Sequence, residues 1–510
     1  MLRQLRRSIQ LGRLARDLSG LRRKDGDVAQ ARQRVIERLG TMHGLPQKIG
    51  QLLSLSELTQ RDQPFTALTE SQQVLPEGQA RALVEHHLGR RISEVFERFD
   101  AKGIGGSLGQ VHRGVLKDGR AVAVKIQYPD IAETLALDLK ALGWLTAPIG
   151  GLRKGFDKRA YQLEVGTMLE RELDYRHEAD MIRTFAQFTT DWEGVVVPDV
   201  VDELSGDRIL TMTWLEGERC PAVRQWSEED RGRLARILLR LFLTSCFRWG
   251  YVHADPHPGN YRFLRREDRV VVGLLDFGCV KEVSRERAAA LASLIKAAGD
   301  PNIQNRREEI LARYLALGFD PDLMEPMAHL LPSLTRMLFA PFHGRQPFAV
   351  ASWPLGEQVA RLLGGFRWNF RFAGPADLLF FLRTYQGLIR YLEALAVPID
   401  WSEILGECVD AGTESLPPQT VVTRSEEGIV KSDRLRIRVS DGGETKVELT
   451  FAAVVAARLS DLVPDELRAS LEERAIDVEQ LAKDVVARDY EPGRIFEFSE
   501  GSKTVLVWLE

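Results

Sequence analysis

The sequence predicts an α+β molecule of two lobes, with a helical extension ahead of them and a small α+β module after them. Three patterns carry that prediction. Apolar positions recur every three or four residues from Leu39 to about Phe96. Alternation at period two takes over in "GQVHRGVL" and "AVAVKIQY", on either side of a "KDGR" turn. Helical spacing then dominates from Ser227 to about residue 410. At 510 residues the chain exceeds the usual domain size of about 100 to 200 residues, so several folded units are expected.

Taken in order, residues 1–24 hold seven Arg and one Lys against the single acid Asp17, with Leu11, Leu14, Leu18 and Leu21 on one helical face. Such a basic amphipathic helix either packs on the protein body or meets an anionic membrane surface. An Arg-rich, acid-poor start also resembles a mitochondrial transit peptide, which would place the protein in the matrix. Turns at "RDQP" and "LPEG" divide the helices of residues 1–95. Residues 96–217 contain the hairpin, helices from about Ile131 to Phe188, and two further strands in "VVVPDVV" and "RILTMTWLEG". Residues 218–410 form the helical lobe, although "VVVGLLDFG" within it reads as strand-like. Residues 411–431 are polar, contain a Pro pair and lack periodicity, which marks a linker. Residues 432–510 contain two hairpin patterns around short helices.

Composition excludes several classes. A net charge of −4 supplies no footprint for nucleic acid. Cys220, Cys246, Cys279 and Cys408 form no CxxC pair, as expected in a reducing compartment such as the cytoplasm. The longest apolar runs fall short of the 18 or so residues that cross a bilayer, so any membrane association, for instance at the inner face of an inner membrane, would be peripheral.

The chemistry-bearing residues converge on phosphate. "GIGGSLGQV" matches the last three fixed positions of a G-x-G-x-x-G-x-V turn with Gly106, Gly109 and Val111, while Ile104 takes the place of the first glycine. In such a turn, backbone N–H groups, here of Gly105, Gly106, Ser107 and Gly109, approach phosphate oxygens with few Cβ atoms in the way. Lys125 closes "VAVK", where a protein-kinase-like fold keeps the lysine for the α and β phosphates. In "HADPHPGN", Asp255 and Asn260 stand five apart, as in the catalytic loop H-R-D-x-x-x-x-N. Asp255 would orient the acceptor hydroxyl, and Asn260 with Asp276 of "LLDFG" would offer oxygens to Mg²⁺. A competing reading makes His253, Asp255, His257 and Asp276 ligands of a transition metal in a hydrolase. It leaves the glycine turn, Lys125 and Asn260 unused. His253 and His257 are expected to brace the loop.

With "QKIGQLLS", "SLGQVHRG", "ERELDYRHEA" and "HADPHPGN" together, residues 35 to 400 resemble the AarF/UbiB family of atypical kinase-like proteins. The resemblance implies a two-lobed protein-kinase-like fold that uses ATP or ADP with Mg²⁺. It implies a K-x-G-Q motif at Lys48, Gly50 and Gln51 and an E-x-D motif at Glu172 and Asp174, meeting over the site where a protein kinase receives its peptide. It further implies that Glu178 pairs with Lys125 and that Met212 and Trp214 lie in the hinge strand beside the adenine. The family has an alanine-rich nucleotide loop, whereas Gly105 and Gly106 stand here, and glycine is expected to make the loop more mobile. The resemblance implies an ATPase or unorthodox kinase linked to isoprenoid quinone metabolism and lipid homeostasis. The alternatives are a small-molecule phosphotransferase of the aminoglycoside or choline kinase type and a nucleotide-gated scaffold with negligible turnover.

Overall fold

In a computed structural model of the chain, residues 74–135 and 166–409 are described, apart from positions 268, 345, 376 and 377. In the carboxyl-terminal region residues 432, 434–441, 444–452, 456, 459, 477–488, 490–500 and 503–509 are described. The basic segment 1–24, Lys48, Gly50, Gln51 and the linker 411–431 lie outside the described residues. The chain divides into two compact units, Met1–Pro417 and Pro418–Glu510.

The first unit begins with helix α1 (Glu77–Leu88), followed by strands β1 (Phe96–Phe99), β2 (Ile104–Gly105), β3 (Gly109–Leu116) and β4 (Ala121–Gln127). After helix α2 (Tyr175–Phe188) and the short β5 (Val195–Val196), β6 (Ile209–Thr213) completes an antiparallel sheet of order β1-β3-β4-β6, with β2 alongside β3. The period-two rule decides what β4 presents to each side. Val122, Val124 and Ile126 pack with Ala80 and Val84 of α1 in one apolar cluster. The opposite face carries Ala123, which joins the core containing α2, and Lys125. An alternating strand therefore places one lysine against α2 while its neighbours stay dry.

Ser227 caps helix α3 (Glu228–Thr244), its side chain accepting from the Asp230 N–H at 3.1 Å. A widened turn at Ser245–Trp249 ends at Gly250, whose φ of +70° reverses the chain into β7 (Tyr251–His253). Strands β8 (Tyr261–Arg266), β9 (Arg269–Leu274) and β10 (Val280–Glu282) follow, then helices α4 (Arg285–Ala298), α5 (Leu378–Leu395) and α6 (Trp401–Val409), with shorter helices between α4 and α5. The continuous helical periodicity expected after Ser227 is thus interrupted. The strand-like run before Asp276 is β9, but β7 and β10 span three residues each, too few to display an alternation. In "VVVPDVV" only Val195 and Val196 form a strand, and they pair in parallel with β9. Pro198 has no N–H to continue a ladder.

The second unit has an antiparallel sheet of order β12-β11-β14-β13, built from Arg434–Asp441 (β11), Glu444–Ala452 (β12), Gly493–Glu500 (β13) and Lys503–Leu509 (β14). Helix α7 (Val478–Ala487) buries Val478, Ala482 and Val485 in one cluster with Leu435, Phe498, Val507 and Leu509.

Candidate active site

Strand register brings the two sequence-marked loops together. His253 of β7 pairs with Val280 of β10, and Tyr261 of β8 pairs with Leu274 of β9. Loops 254–260 and 275–279 are therefore closed at both ends by pairings. Two backbone bonds run between them, Ala254 N–H to Cys279 O at 2.8 Å and Leu275 N–H to Asn260 O at 3.0 Å. Asp255, Asn260 and Asp276 consequently share one rim.

Lys125 reaches that rim from the other lobe. Its Nζ donates to both carboxylate oxygens of Glu178 at 2.8 Å and to Asp276 Oδ2 at 3.1 Å. Glu178 is fully buried, and its Oε1 also accepts from the Phe277 N–H at 3.2 Å. Phe277 is itself buried against Phe185 of α2, ring centroids 5.1 Å apart, so this packing fixes the helix that carries Glu178. Burial opposes the Lys125 charge, but the carboxylates of Asp276 and Glu178 outweigh it and hold the ammonium well above its usual pKa. Burial is likewise the largest influence on Glu178 and, against the pull of Lys125, pushes it up to about 7. Each charge is held in part by the other, and above about pH 7 the pair is ammonium and carboxylate.

Across the cleft, Asn260 Nδ2 donates to Asp255 Oδ2 at 2.9 Å, which leaves its amide oxygen as a hard ligand. Asp276 Oδ1 accepts from the Gly278 N–H at 3.0 Å, and its side chain is 34% exposed, enough to meet an ion. Two oxygen-bearing side chains suit Mg²⁺, which takes much of its shell from phosphate and water. The transition-metal reading fares worse, because no group of three or more His, Cys, Asp and Glu able to hold a metal occurs among the described residues. His253 instead donates from Nε2 to the Asp276 carbonyl, and His257 Nδ1 accepts from the Gly259 N–H at 3.0 Å. Both histidines brace the loop.

The glycine turn lies beside Lys125 because Val111 pairs with Lys125 and Gly105 with Gln110. Its N–H at Gly106 closes onto Gly109 O at 2.6 Å. Gly109 admits no side chain, since a Cβ would stand 2.2 Å from Ile126 O. The mobility expected from glycine meets an opposing restraint. Leu108, next to Ser107, is buried with Tyr128, Met168 and Leu169, and its carbonyl accepts from the Tyr128 N–H at 3.0 Å. Met212 is buried on β6 opposite Ala123. The N–H groups of Thr213 and Trp214 donate to Asp199 O and Ala121 O.

The E-x-D residues separate in role. Glu172 is 9% exposed and lies against Gly278, where a Cβ would be 3.7 Å from its Cγ. Asp174 caps α2, accepting from the His177 N–H at 3.0 Å. A meeting with Lys48, Gly50 and Gln51 lies outside the described residues. Helical spacing after Ser227 covers α5, but nothing in it marks α5 as part of the site. Arg383 of α5 forms a buried ion pair with Asp255, Thr384 Oγ1 donates to His253 O at 3.4 Å, and Pro256 sits where a Cβ on Gly387 would be, 2.1 Å from its own Cβ. An arginine directly after the apolar run "LLFFL", with a glycine one turn on, was the available signal.

Residues 67–309 match the ABC1 atypical kinase-like domain. The match supports the resemblance of these residues to the AarF/UbiB family of atypical kinase-like proteins. Among curated relatives, the mitochondrial atypical kinase coq-8 of Caenorhabditis elegans is 32% identical over 57% of this chain and 40% of its own. The mitochondrial atypical kinase COQ8B of Rattus norvegicus is 32% identical over 56% and 54%. The mitochondrial atypical kinase COQ8 of Saccharomyces cerevisiae is 29% identical over 50% and 51%. The chain thus spans from two fifths to just over half the length of these relatives. A solved structure of Rv3197 with erythromycin, from Mycobacterium tuberculosis, covers 75% of this chain and 96% of its own at 24% identity and a TM-score of 0.50, a likeness of fold. The matched residues 67–309 include Lys125, Glu178 and both loops of the rim. No helix among the described residues is long and apolar enough to cross a membrane.

Proposed function

We propose that this chain binds Mg-ATP, or Mg-ADP as product, and acts as an atypical kinase or ATPase that supports isoprenoid quinone or lipid metabolism at a membrane surface. One observation carries the nucleotide part: the Lys125 ammonium, 3.1 Å from Asp276 and 2.8 Å from Glu178, faces the loop that holds Asp255 and Asn260. Lys125 would bind the α and β phosphates, and Glu178 would keep the ammonium pointed at them. The backbone of Gly105, Gly106, Ser107 and Gly109 would line the phosphate chain. Asn260 and Asp276 would hold Mg²⁺, whose charge, when bound, offsets that of the phosphate oxygens. Asp255 would orient a hydroxyl or water. Its oxygen forms a bond to the γ phosphorus as the bond to the ADP oxygen breaks, and its proton passes to Asp255 or solvent.

The membrane part draws on the basic, leucine-faced segment 1–24 and on the family's link to lipids. The test is phosphate release by purified protein titrated with Mg-ATP, with and without cardiolipin-containing vesicles, beside Asp255→Asn and Lys125→Ala. Release above both variants, raised by vesicles, is expected. Release equal to theirs would contradict turnover, and release indifferent to vesicles would contradict membrane coupling.

A further inference from the structure

Asp255 is held from behind by a residue outside every motif. Arg383 Nη2 pairs with Asp255 Oδ1, and the two side chains are 6% and 10% exposed. Asn260 takes Asp255 Oδ2, so both carboxylate oxygens are engaged, one from the loop itself and one from α5. The helix is seated for this. One turn after Arg383, Gly387 lets Pro256 press against the helix backbone, and the intervening Thr384 donates to the His253 carbonyl on the near side of the loop. Thr384 and Gly387 thus fix residues 253 and 256 on either side of Asp255.

A buried guanidinium is costly unless its charge is answered. Here Nε and Nη1 of Arg383 have no hydrogen-bond partner, although the whole side chain is enclosed. Burial works against its charge, and Asp255 first, then Cys279 and Glu172, outweigh that. A pair serving stability alone would use more of the fork, since a bidentate Arg–carboxylate contact is the stronger arrangement. The contact is instead made by one nitrogen to the one carboxylate oxygen that Asn260 leaves, which fixes the direction of the Asp255 carboxylate.

We propose that Arg383 is a positioning residue, which acts through Asp255 to aim its carboxylate at the acceptor oxygen. The proposal rests on the phosphotransfer reading of Asp255. Misaiming a reacting group by about 1 Å costs on the order of 100-fold in rate. Arg383→Met is therefore expected to lower kcat for phosphate release by about that factor while KM for Mg-ATP moves less than about threefold, and Arg383→Lys to recover part of the loss. In an Asp255→Asn background, Arg383→Met should cost no more than about twofold further. A full second loss in that background, or a change in KM alone, would overturn the proposal. Melting temperatures of the two single variants and the double variant supply a readout free of turnover. Strongly non-additive losses are expected, and additive losses would contradict the clamp. Should the wild type release no phosphate while the melting losses stay non-additive, the phosphotransfer reading falls and the hold on Asp255 stands.

Discussion

At the scale of single residues, the site depends on a charge that the fold could not bury alone. Lys125 is tolerated on the inner face of β4 because Glu178 and Asp276 answer it, and Glu178 is tolerated at zero exposure because Lys125 and the Phe277 N–H do. Glu178→Gln keeps the shape and removes the charge, which is expected to cost about 3–5 kcal/mol of stability, measured by denaturant unfolding of the first unit. The pair also makes binding sensitive to pH. With Glu178 pushed up to about 7 by burial, acidification through that value adds a proton to the carboxylate and releases the ammonium it steers. ATP affinity should fall from about pH 8 to about pH 6 in the wild type, and the Glu178→Gln variant should lack that part of the dependence. Equal pH profiles for the two proteins would remove Glu178 from the explanation.

Among elements, β3 and α5 carry what the motifs do not mention. In β3, His112 is fully buried. Its Nδ1–H donates to Asp100 O at 2.9 Å and its Nε2 accepts from the Gln110 amide at 2.7 Å, while Gln110 Oε1 accepts from the Leu75 N–H at 2.7 Å. A proton on Nε2 would set donor against donor. Burial depresses the pKa of His112, and of His253 in the loop brace, below 6.5. Their contribution to stability is thus complete above pH 6.5 and is lost as pH falls through the depressed values. The melting temperature of the first unit should decline on acidification below 6.5, and less steeply in His112→Gln. On α5, Gly387→Ala would drive a methyl into Pro256. It should destabilise by about 1–3 kcal/mol and slow phosphate release, because the loop must move. The hairpin β3–β4 was legible because its alternation is long and its turn polar. The cradle for Asp255 was not, because contact between residues 255 and 383 is a product of topology, and no local period encodes it. Asp174, a motif position, has a structural task that the motif spacing does not announce, because it caps the helix that carries Glu178.

For the molecule as a whole, the order of strands then helices foretold two lobes, and the spacing of Asp255, Asn260 and Asp276 foretold a shared rim. The strands that close the rim were too short to announce themselves. All the described residues assigned to the nucleotide lie in Met1–Pro417, and the second unit has its own apolar cluster. A chain ending at Pro417 should therefore keep the Mg-ATP affinity of the full chain within about threefold, and loss of binding would show that the second unit contributes to the site. The central claim, that Lys125, Asn260 and Asp276 surround one Mg-nucleotide, is tested most directly by calorimetric titration of the full chain with ATP in the presence and absence of Mg²⁺, alongside Asp276→Asn. The account predicts saturable one-to-one binding that requires Mg²⁺ and weakens by at least about 30-fold in Asp276→Asn. Equal affinity in the two proteins, or binding indifferent to Mg²⁺, would contradict it.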